Sequence, residues 1–224
     1  MEKLDYLLWG TPDRARLLEQ VAPVLLAGSS VRGLTIQLGD TGADVPHPSI
    51  LLGQGAELAA LVQLWVASYD GRHPLEAALA TAAERIDGYL VTESEPQPLL
   101  DRSWPDGQQS PGISHVTWFP KPERLTEQEF LHGWHEVHTP HSAALHPLRW
   151  TYLRDTVVRT LTAGSPDVRA IVVERFREVA DYADPRRLFG PAAAFEQNLR
   201  DLPGYADLDA ISSRPMHEVV LRSR

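Results

Sequence analysis

The sequence predicts an α+β fold made of two units that share the order βαββαβ. Short β-rich runs alternate with helical patterns, a connector with four prolines at 96–112 divides the 224-residue chain nearly in half, and the element order repeats after it. One such unit is a ferredoxin-like sandwich whose sheet has one helix-covered face and one bare face. We therefore place one half at 1–96, a linker at 97–110 and the other half at 111–224, with the bare faces covering each other.

The first half begins with a strand, and the signal "TPDR" then predicts a helix from Asp13 to about Ala27. This helix has no histidine and carries Pro23 in its interior, so we expect this half to be structural. His47 and His73 are expected in loops. The remaining elements are predicted from β-rich runs and helical spacing. In chain order the six segments are "KLDYLLW", the helix, "VRGLTIQL", "AALVQLWVAS", the helical "HPLEAALATAAERI" and "GYLVTES".

The second half repeats this order after the connector. Thr126 and Glu129 form a capping-box pattern, which predicts a helix that starts at Glu127. Pro140 disfavours a continuing helix, so we expect the helix to end near His138. The six segments are "ISHVTWF", the helical "TEQEFLHGWHEVH", "RWTYLRDTVVRTL", "RAIVVERFREV", the helical "AAAFEQNLRDL" and "HEVVLRS".

Composition excludes several function classes. Hydrophobic residues make up 43% and charged residues 23%, which is ordinary for a folded globular chain. A net charge of −9 with scattered basic residues argues against nucleic-acid binding. With no cysteine there are no disulfides or thiolate sites, and no apolar run approaches the roughly 20 residues of a membrane span. These two features lead us to expect a cytoplasmic protein that does not contact a membrane. Since no dinucleotide or phosphate-loop motif occurs, we also expect no cofactor.

Five of the nine histidines crowd into "HGWHEVHTPHSAALH", residues 132–146. At about 100° per residue, His138 shares the core-facing side of its helix with Trp134, whereas His132 and His135 point elsewhere. These two and His146 are expected on the solvated surface. The spacing spreads the helical histidines too widely to hold one metal ion together.

His138 is the strongest candidate for proton transfer. Its place in the last helical turn would raise its pKa, while burial would lower it, and the sequence leaves the net direction open. An alternative is that His138 only caps the helix. A metal site formed by His138, His141 and Glu174 after the helix break is a further alternative.

Neighbouring strands supply partners for His138. Glu174 shares one face of the strand "AIVVERF" with apolar residues. If this face lines the cavity, Glu174 could orient His138 or act as an acid of raised pKa. If the face is solvated, Glu174 pairs with an arginine. Tyr152 and Arg154 alternate with Leu153 along "WTYLRD", so both could enter the same cavity, Tyr152 as a hydrogen-bond donor and Arg154 as an anion clamp. Arg154 could instead form a salt bridge with Asp155 or another surface acid. His115 on "ISHVTWF" is a secondary candidate.

The second half resembles an EthD domain of the dimeric α/β-barrel superfamily. The resemblance rests on "FLHGWHEVHTPHSAALHPLRWTYLRD", "AIVVERF" and "FEQNLRDL". It implies that the two halves close an intramolecular dimeric α/β barrel, and it implies activities in polyketide tailoring or in the catabolism of organic compounds. The residues that fit the family pattern are Trp134, His138, Pro140, Tyr152 and Glu174.

These observations lead to a primary functional hypothesis and two alternatives. The primary hypothesis is a cofactor-independent lyase or isomerase, most simply a dehydratase, acting on a hydrophobic, oxygenated, cyclic small molecule. The alternatives are an oxidoreductase, either a cofactor-free oxygenase or a haem protein using His138 or His141, and a non-catalytic carrier. The chain is expected to be a monomer or a homodimer. Predicted catalytic residues are His138, Tyr152, Glu174 and His141, and predicted substrate-binding residues are Trp134, Arg154, His115, Trp118 and Trp150.

Overall fold

Eight antiparallel strands close into one barrel in the computed structural model, which describes residues 1–42, 45 and 57–224. The order around the barrel is β1, β3, β2, β8, β5, β7, β6 and β4. The strands are β1 (Glu2–Trp9), β2 (Val31–Leu38), β3 (Leu58–Val66), β4 (Arg85–Gln97), β5 (Ile113–Phe119), β6 (Arg149–Thr160), β7 (Ala170–Phe176) and β8 (Ser212–Arg222).

Each half of the chain contributes a four-stranded sheet in which the first strand lies between the fourth and the third, and the second is at the edge. The two sheets join along both edges. β2 pairs with β8, where Leu38 is opposite His217, and β4 pairs with β6, where Val91 is opposite Val157. The predicted fold is confirmed: two ferredoxin-like units form a dimeric α/β barrel within one chain.

Helices cover the outside of the barrel. None of the helices in the described part of the chain is long and apolar enough to cross a membrane. The helices are α1 (16–27, a π-helical segment Arg16–Val21 followed by Ala22–Ala27), α2 (His73–Leu79), α3 (127–145), α4 (Val179–Ala183), α5 (Pro185–Leu188) and α6 (Ala192–Asp201).

Strand alternation divides the core into an inner and an outer layer. Along β1, Leu4 and Tyr6 pack beneath the helices, whereas Leu7 and Trp9 face the barrel interior. Because successive side chains of a strand point to opposite faces, every strand serves both layers. Full burial of one such side chain stabilises the fold by about 1.5–3 kcal/mol. The barrel is thus filled by both halves together.

The helix α3 continues beyond the point where the sequence predicted its end. It starts as an α-helix at Glu127, becomes π-helical over His132–His138 and is α-helical again from Thr139. The Thr139 N–H donates to the Trp134 carbonyl, five residues back. A π-helical turn widens the helix, so Pro140 enters at the first turn of the next α-helical segment, where its missing N–H and its ring are tolerated.

Smaller boundaries also differ from the predictions. The helix α2 and its short 3₁₀ extension end at Ala82, and Ile86 belongs to β4, where it pairs with Leu8. Tertiary strand pairing overrides the local helical pattern there. β8 begins at Ser212, five residues earlier than predicted, and the predicted loop residue His47 lies outside the described residues.

Candidate functional site

A cavity of about 130 Å³ lies between the sheet of the second half and its helices. The strands β5, β6 and β7 form its floor, α3 forms one wall, and the segment after α6 forms another. Its lining mixes aromatic and aliphatic side chains with titratable groups. The lining residues are Thr117, Phe119, Trp134, His138, Ser142, Leu145, His146, Tyr152, Val172, Glu174, Tyr205 and Ile211.

His138 enters this cavity from the π-helical part of α3. Its ring packs on Tyr205 with 4.5 Å between ring centroids, and its Nδ1 is buried without a hydrogen-bond partner among the described residues. Burial lowers the pKa of His138 to about 4, although the charges of Glu174 and Asp201 oppose the shift. His138 is therefore neutral near pH 7, and its Nδ1 forms no hydrogen bond with the described residues.

Close backbone packing seats α3 at this position. A Cβ atom at Gly133 would come within 2.1 Å of the Gly204 carbonyl oxygen, so the helix touches the backbone that precedes Tyr205. Thr139 Oγ1 also donates to the Trp134 carbonyl at 2.9 Å. These contacts bring His138 and Tyr205, which come from distant parts of the chain, into contact at the cavity.

Glu174 is held as a carboxylate by an arginine. Arg149 Nη1 donates to Glu174 Oε1 at 2.6 Å, and the same guanidinium donates to Ser142 Oγ at 3.2 Å. Burial alone would raise the pKa of Glu174, but His115 and Arg149 outweigh it and hold the pKa well below its usual range. From the sequence, Glu174 could have been either an acid of raised pKa or the partner of an arginine. The structure shows the pairing with an arginine.

Two phenols face the same cavity. Tyr152 is 2% exposed and lies beneath the Arg149 guanidinium, 4.2 Å from the ring centroid. Burial and the charge of Glu174 raise the pKa of Tyr152, and burial strongly raises the pKa of Tyr205. Both groups therefore stay protonated and can donate hydrogen bonds to a ligand oxygen.

Four residues predicted at the site lie close to one another: His138, Tyr152, Glu174 and Trp134 all line the cavity. His115 stands behind Glu174, with 3.7 Å between Nδ1 and Oε2, and is not part of the lining. The strand alternation that selected Tyr152 and Glu174, and the helical spacing that selected Trp134 and His138, are therefore consistent with the cavity lining.

Arg154 does not line the cavity. Its Nη1 donates to Thr139 Oγ1 at 2.6 Å, and its guanidinium lies 5.8 Å from the ring centroid of Trp134. It braces α3 against the sheet. Arg154 therefore cannot serve as the predicted anion clamp in this cavity. The alternative, a salt bridge between Arg154 and Asp155, is also wrong, because Asp155 faces the barrel interior and pairs with Lys3.

Trp118, Trp150 and His141 also lie away from the cavity. Trp118 faces the barrel interior and packs edge-on against Trp9, with 5.9 Å between centroids, because it alternates with the outward-facing Phe119. Trp150 packs against Trp104 at 5.5 Å. His141 is exposed and is not part of the cavity lining, and its Nδ1 is 2.7 Å from Asp201 Oδ2.

Sequence reasoning missed His146, Tyr205 and Arg149. His146 was expected at the surface, but α3 continues past Pro140 and carries it to the cavity, where burial lowers its pKa. Its Nδ1 is 3.0 Å from the Leu188 carbonyl. Tyr205 follows a 3₁₀ turn and belongs to no motif, so no local signal could identify it.

His135 also differs from its prediction. It is half-buried against Trp134, with 4.6 Å between ring centroids, and Nε2 lies 3.3 Å from Thr156 Oγ1. Burial and the nearby Arg154 lower the pKa of His135 to about 4. The π-helical turn changes the rotation per residue, so the α-helical count misplaced this side chain.

The alternatives that need a metal or haem fit this cavity poorly. Within residues 1–42, 45 and 57–224, no group of three or more His, Asp or Glu side chains is arranged to hold a metal ion. His141 turns to Asp201, so the set of His138, His141 and Glu174 is not assembled. At about 130 Å³ the cavity is below the roughly 300–1,000 Å³ of usual small-molecule pockets, which leaves no room for a haem macrocycle in this arrangement.

Comparisons with known proteins support the fold. No family model matches the chain, and no curated protein matches it in sequence. A solved structure of an anthrone oxidase-like protein is similar, with a TM-score of 0.63 at 12% identity over 99% of this chain and 94% of that one. A candidate monooxygenase from Fusobacterium nucleatum has a TM-score of 0.53 at 9% identity, over 99% and 92% of the two chains. At these identities the likeness shows a shared fold.

Proposed function

We propose that this protein is an enzyme that abstracts a proton from a cyclic, oxygenated, mostly apolar small molecule, with no organic cofactor. The observation that carries the proposal is the neutral His138, whose buried Nδ1 has no partner among the described residues and whose ring meets a cavity containing an ionised Glu174 and two phenols. A positioned imidazole of this kind can act as a general base.

The cavity size limits the substrate. An engineered apolar cavity of about 150 Å³ in another protein takes up benzene. The cavity beside His138, at about 130 Å³, therefore suits a molecule of about one ring. Phe119, Trp134 and Val172 offer contact to an apolar ring, and Glu174 and Tyr152 supply polar groups to the same lining.

In the proposed reaction, His138 takes a proton from a carbon beside a carbonyl group. The C–H electron pair forms a carbon–carbon double bond while the carbonyl π electrons move to the oxygen, and Tyr152 or Tyr205 stabilises the resulting enolate by donating a hydrogen bond. Glu174 stabilises the imidazolium that forms, since its negative charge favours the protonated ring. If His138 returns the proton to another carbon, the product is an isomer. If it instead gives the proton to a β-hydroxyl group, the enolate re-forms the carbonyl group, the C–O bond breaks, and water leaves an α,β-unsaturated product.

A second candidate is a cofactor-free oxidase. It is supported by the fold likeness to the anthrone oxidase-like protein, which covers nearly the whole of both chains. The first step is the same deprotonation. The carbanion then reduces dioxygen, so that a CH₂ group becomes a carbonyl group, one oxygen atom enters the product and the other leaves as water.

An exchange assay tests both candidates. Small cyclic ketones and phenols are incubated with the protein in D₂O at neutral pH, and NMR follows the replacement of acidic C–H hydrogens while an electrode follows dioxygen. We expect exchange faster than in buffer for at least one compound that binds. Dioxygen uptake in step with product formation would favour the oxidase over the isomerase or lyase. Compounds that bind but neither exchange nor consume dioxygen would contradict both candidates and leave a carrier.

A further inference from the structure

A second cavity, here called the barrel-mouth cavity, opens at one end of the barrel interior. Its volume is about 250 Å³, nearly twice that of the cavity beside His138. The first half of the chain supplies Gln63 and Trp65, and the second half supplies Arg175 and Glu218. This cavity lies between the two sheets, and most of its lining belongs to the opposite face of the second sheet from the proposed active site, although Tyr152 lines both cavities.

The connector between the halves forms part of the barrel-mouth cavity. The Gly107 and Ser110 N–H groups each donate at 2.8 Å to carbonyls of β8, which ties the connector to the barrel. Arg102 is thereby placed on the cavity lining, where Asp106 and Ser223 accept hydrogen bonds from its Nη1 at 2.7 and 2.6 Å. The segment that the sequence marks as a linker therefore brings a charged group to this site.

Three lining residues hold buried donors without partners. Trp65 Nε1, Arg175 Nε, and both Nε and Nη2 of Arg102 have no hydrogen-bond partner among the described residues. Trp65 and Arg175 are 7% and 4% exposed. Indole and guanidinium groups only donate, and nearly all buried polar groups in folded proteins are paired. The unpaired polar atoms named here are therefore all donors, and a ligand that pairs with them must supply hydrogen-bond acceptors.

The lining of the barrel-mouth cavity carries more basic than acidic side chains. Arg102, Arg175, Arg222 and Arg224 line the barrel-mouth cavity together with only two acidic residues, Glu95 and Glu218, in a chain of formal net charge −9. Glu218 is engaged by Arg175 at 3.0 Å, and Arg224 contacts Glu95. Arg102 also pairs with Asp106 at 2.7 Å outside the lining, and within the lining itself the four arginines outnumber the two carboxylates.

We propose that the barrel-mouth cavity is a binding site for an organic anion, specifically an aromatic carboxylate. The carboxylate group accepts hydrogen bonds from Trp65, Arg102 and Arg175, and bidentate pairing is the usual geometry between guanidinium and carboxylate. The ring lies against the apolar part of the lining, which includes Leu153 and Val220. This assignment is independent of the reaction proposed at His138.

The test compares benzoate with benzyl alcohol, its neutral counterpart, by isothermal titration calorimetry on the full chain. We expect benzoate to bind at least tenfold more tightly than benzyl alcohol. Arg102→Gln should weaken benzoate about tenfold, the usual effect of losing a charge-assisted hydrogen bond. Trp65→Phe keeps the ring, removes the N–H and should weaken benzoate several-fold.

Two control variants locate the binding. Arg169→Gln removes an arginine that pairs with Glu127 away from this cavity and should leave benzoate affinity unchanged. His138→Ala should also leave it unchanged. The proposal is overturned if benzoate fails to bind at millimolar concentration, if Arg102→Gln and Trp65→Phe both bind it like the wild type, or if His138→Ala is the variant that weakens it. The exchange assay is unaffected by any of these results, so the two proposals fail separately.

Discussion

His138 lies within a continuous helix, so the attraction that a helix C-terminus exerts on a cation does not act on it, and burial lowers its pKa to about 4. The base form is then fully present from about pH 6 upward. We predict that kcat/KM for proton abstraction rises as pH passes through about 4 and is flat between about pH 6 and 8. Rates measured across this range check the prediction. A profile that bends between about pH 6 and 8 would show that His138 titrates near its ordinary pKa.

Tyr152→Phe removes one hydroxyl group and keeps the ring beneath Arg149. We expect turnover to fall by about 10- to 100-fold, at or below the usual loss for one oxyanion donor, because Tyr205 remains. The melting temperature should change little. Tyr69→Phe is a matched control, since its hydroxyl accepts a hydrogen bond from Arg159 at the surface. Equal turnover of Tyr152→Phe and Tyr69→Phe would remove Tyr152 from the mechanism.

At the scale of one element, α3 shows what local sequence can predict. The capping box at Thr126 and Glu129 is present in both directions, because its chemistry involves only neighbouring residues. The end of the helix was predicted wrongly at Pro140. Whether a proline stops a helix depends on whether the preceding turn can widen, and here packing around Trp134 and Gly133 supports a π-helical turn. That information is tertiary, so it is not contained in the local pattern.

The contact between α3 and Gly204 provides a stability prediction. Gly133→Ala would place a methyl group 2.1 Å from a backbone oxygen that cannot move away cheaply. We expect the free energy of unfolding to fall by about 1–3 kcal/mol, the usual effect of overpacking. Gly71→Ala is the control, because its Cβ would meet open space, and it should change this free energy by less than about 1 kcal/mol. Denaturant unfolding measures both, and equal effects of the two variants would contradict the close packing of α3.

At the scale of the whole molecule, the barrel interior buries two carboxyl groups from opposite halves. Asp5 and Asp155 are both 0% exposed, and Lys3 Nζ lies 2.6 Å from Asp155 Oδ2. Burial raises the pKa of both groups above their unfolded values. Between the unfolded and folded pKa values of these carboxyl groups, the folded protein binds more protons than the unfolded chain. The stability that this proton binding contributes is fully present below the unfolded pKa and is lost as pH rises through the folded pKa.

We predict that Asp5→Asn stabilises the protein, by about 1 kcal/mol or more at alkaline pH, since an amide needs no buried charge. The gain should shrink as pH falls. Unfolding by denaturant at several pH values measures it, and the exposed Asp209→Asn serves as control. A loss of stability on Asp5→Asn that is the same at every pH would contradict the raised pKa.

The overall fold could be predicted because the repeated βαββαβ order is carried by many residues, and strand alternation correctly grouped Tyr152 with Glu174. The other site residues depend on how distant segments meet. His146 reaches the cavity only because α3 continues, and Tyr205 only because the segment after α6 folds back on it. Trp118 looked suitable by residue type, but one step of alternation places it on the other face of the sheet.

The exchange rate of His138→Ala relative to the wild type tests whether His138 is the general base. We predict that exchange of acidic C–H hydrogens from D₂O falls by about 10² to 10⁴, the usual contribution of a general base, while the melting temperature changes little. His132→Ala, which removes an exposed imidazole from the same helix, should keep the full rate. A folded His138→Ala protein that exchanges as fast as the wild type would contradict the claim.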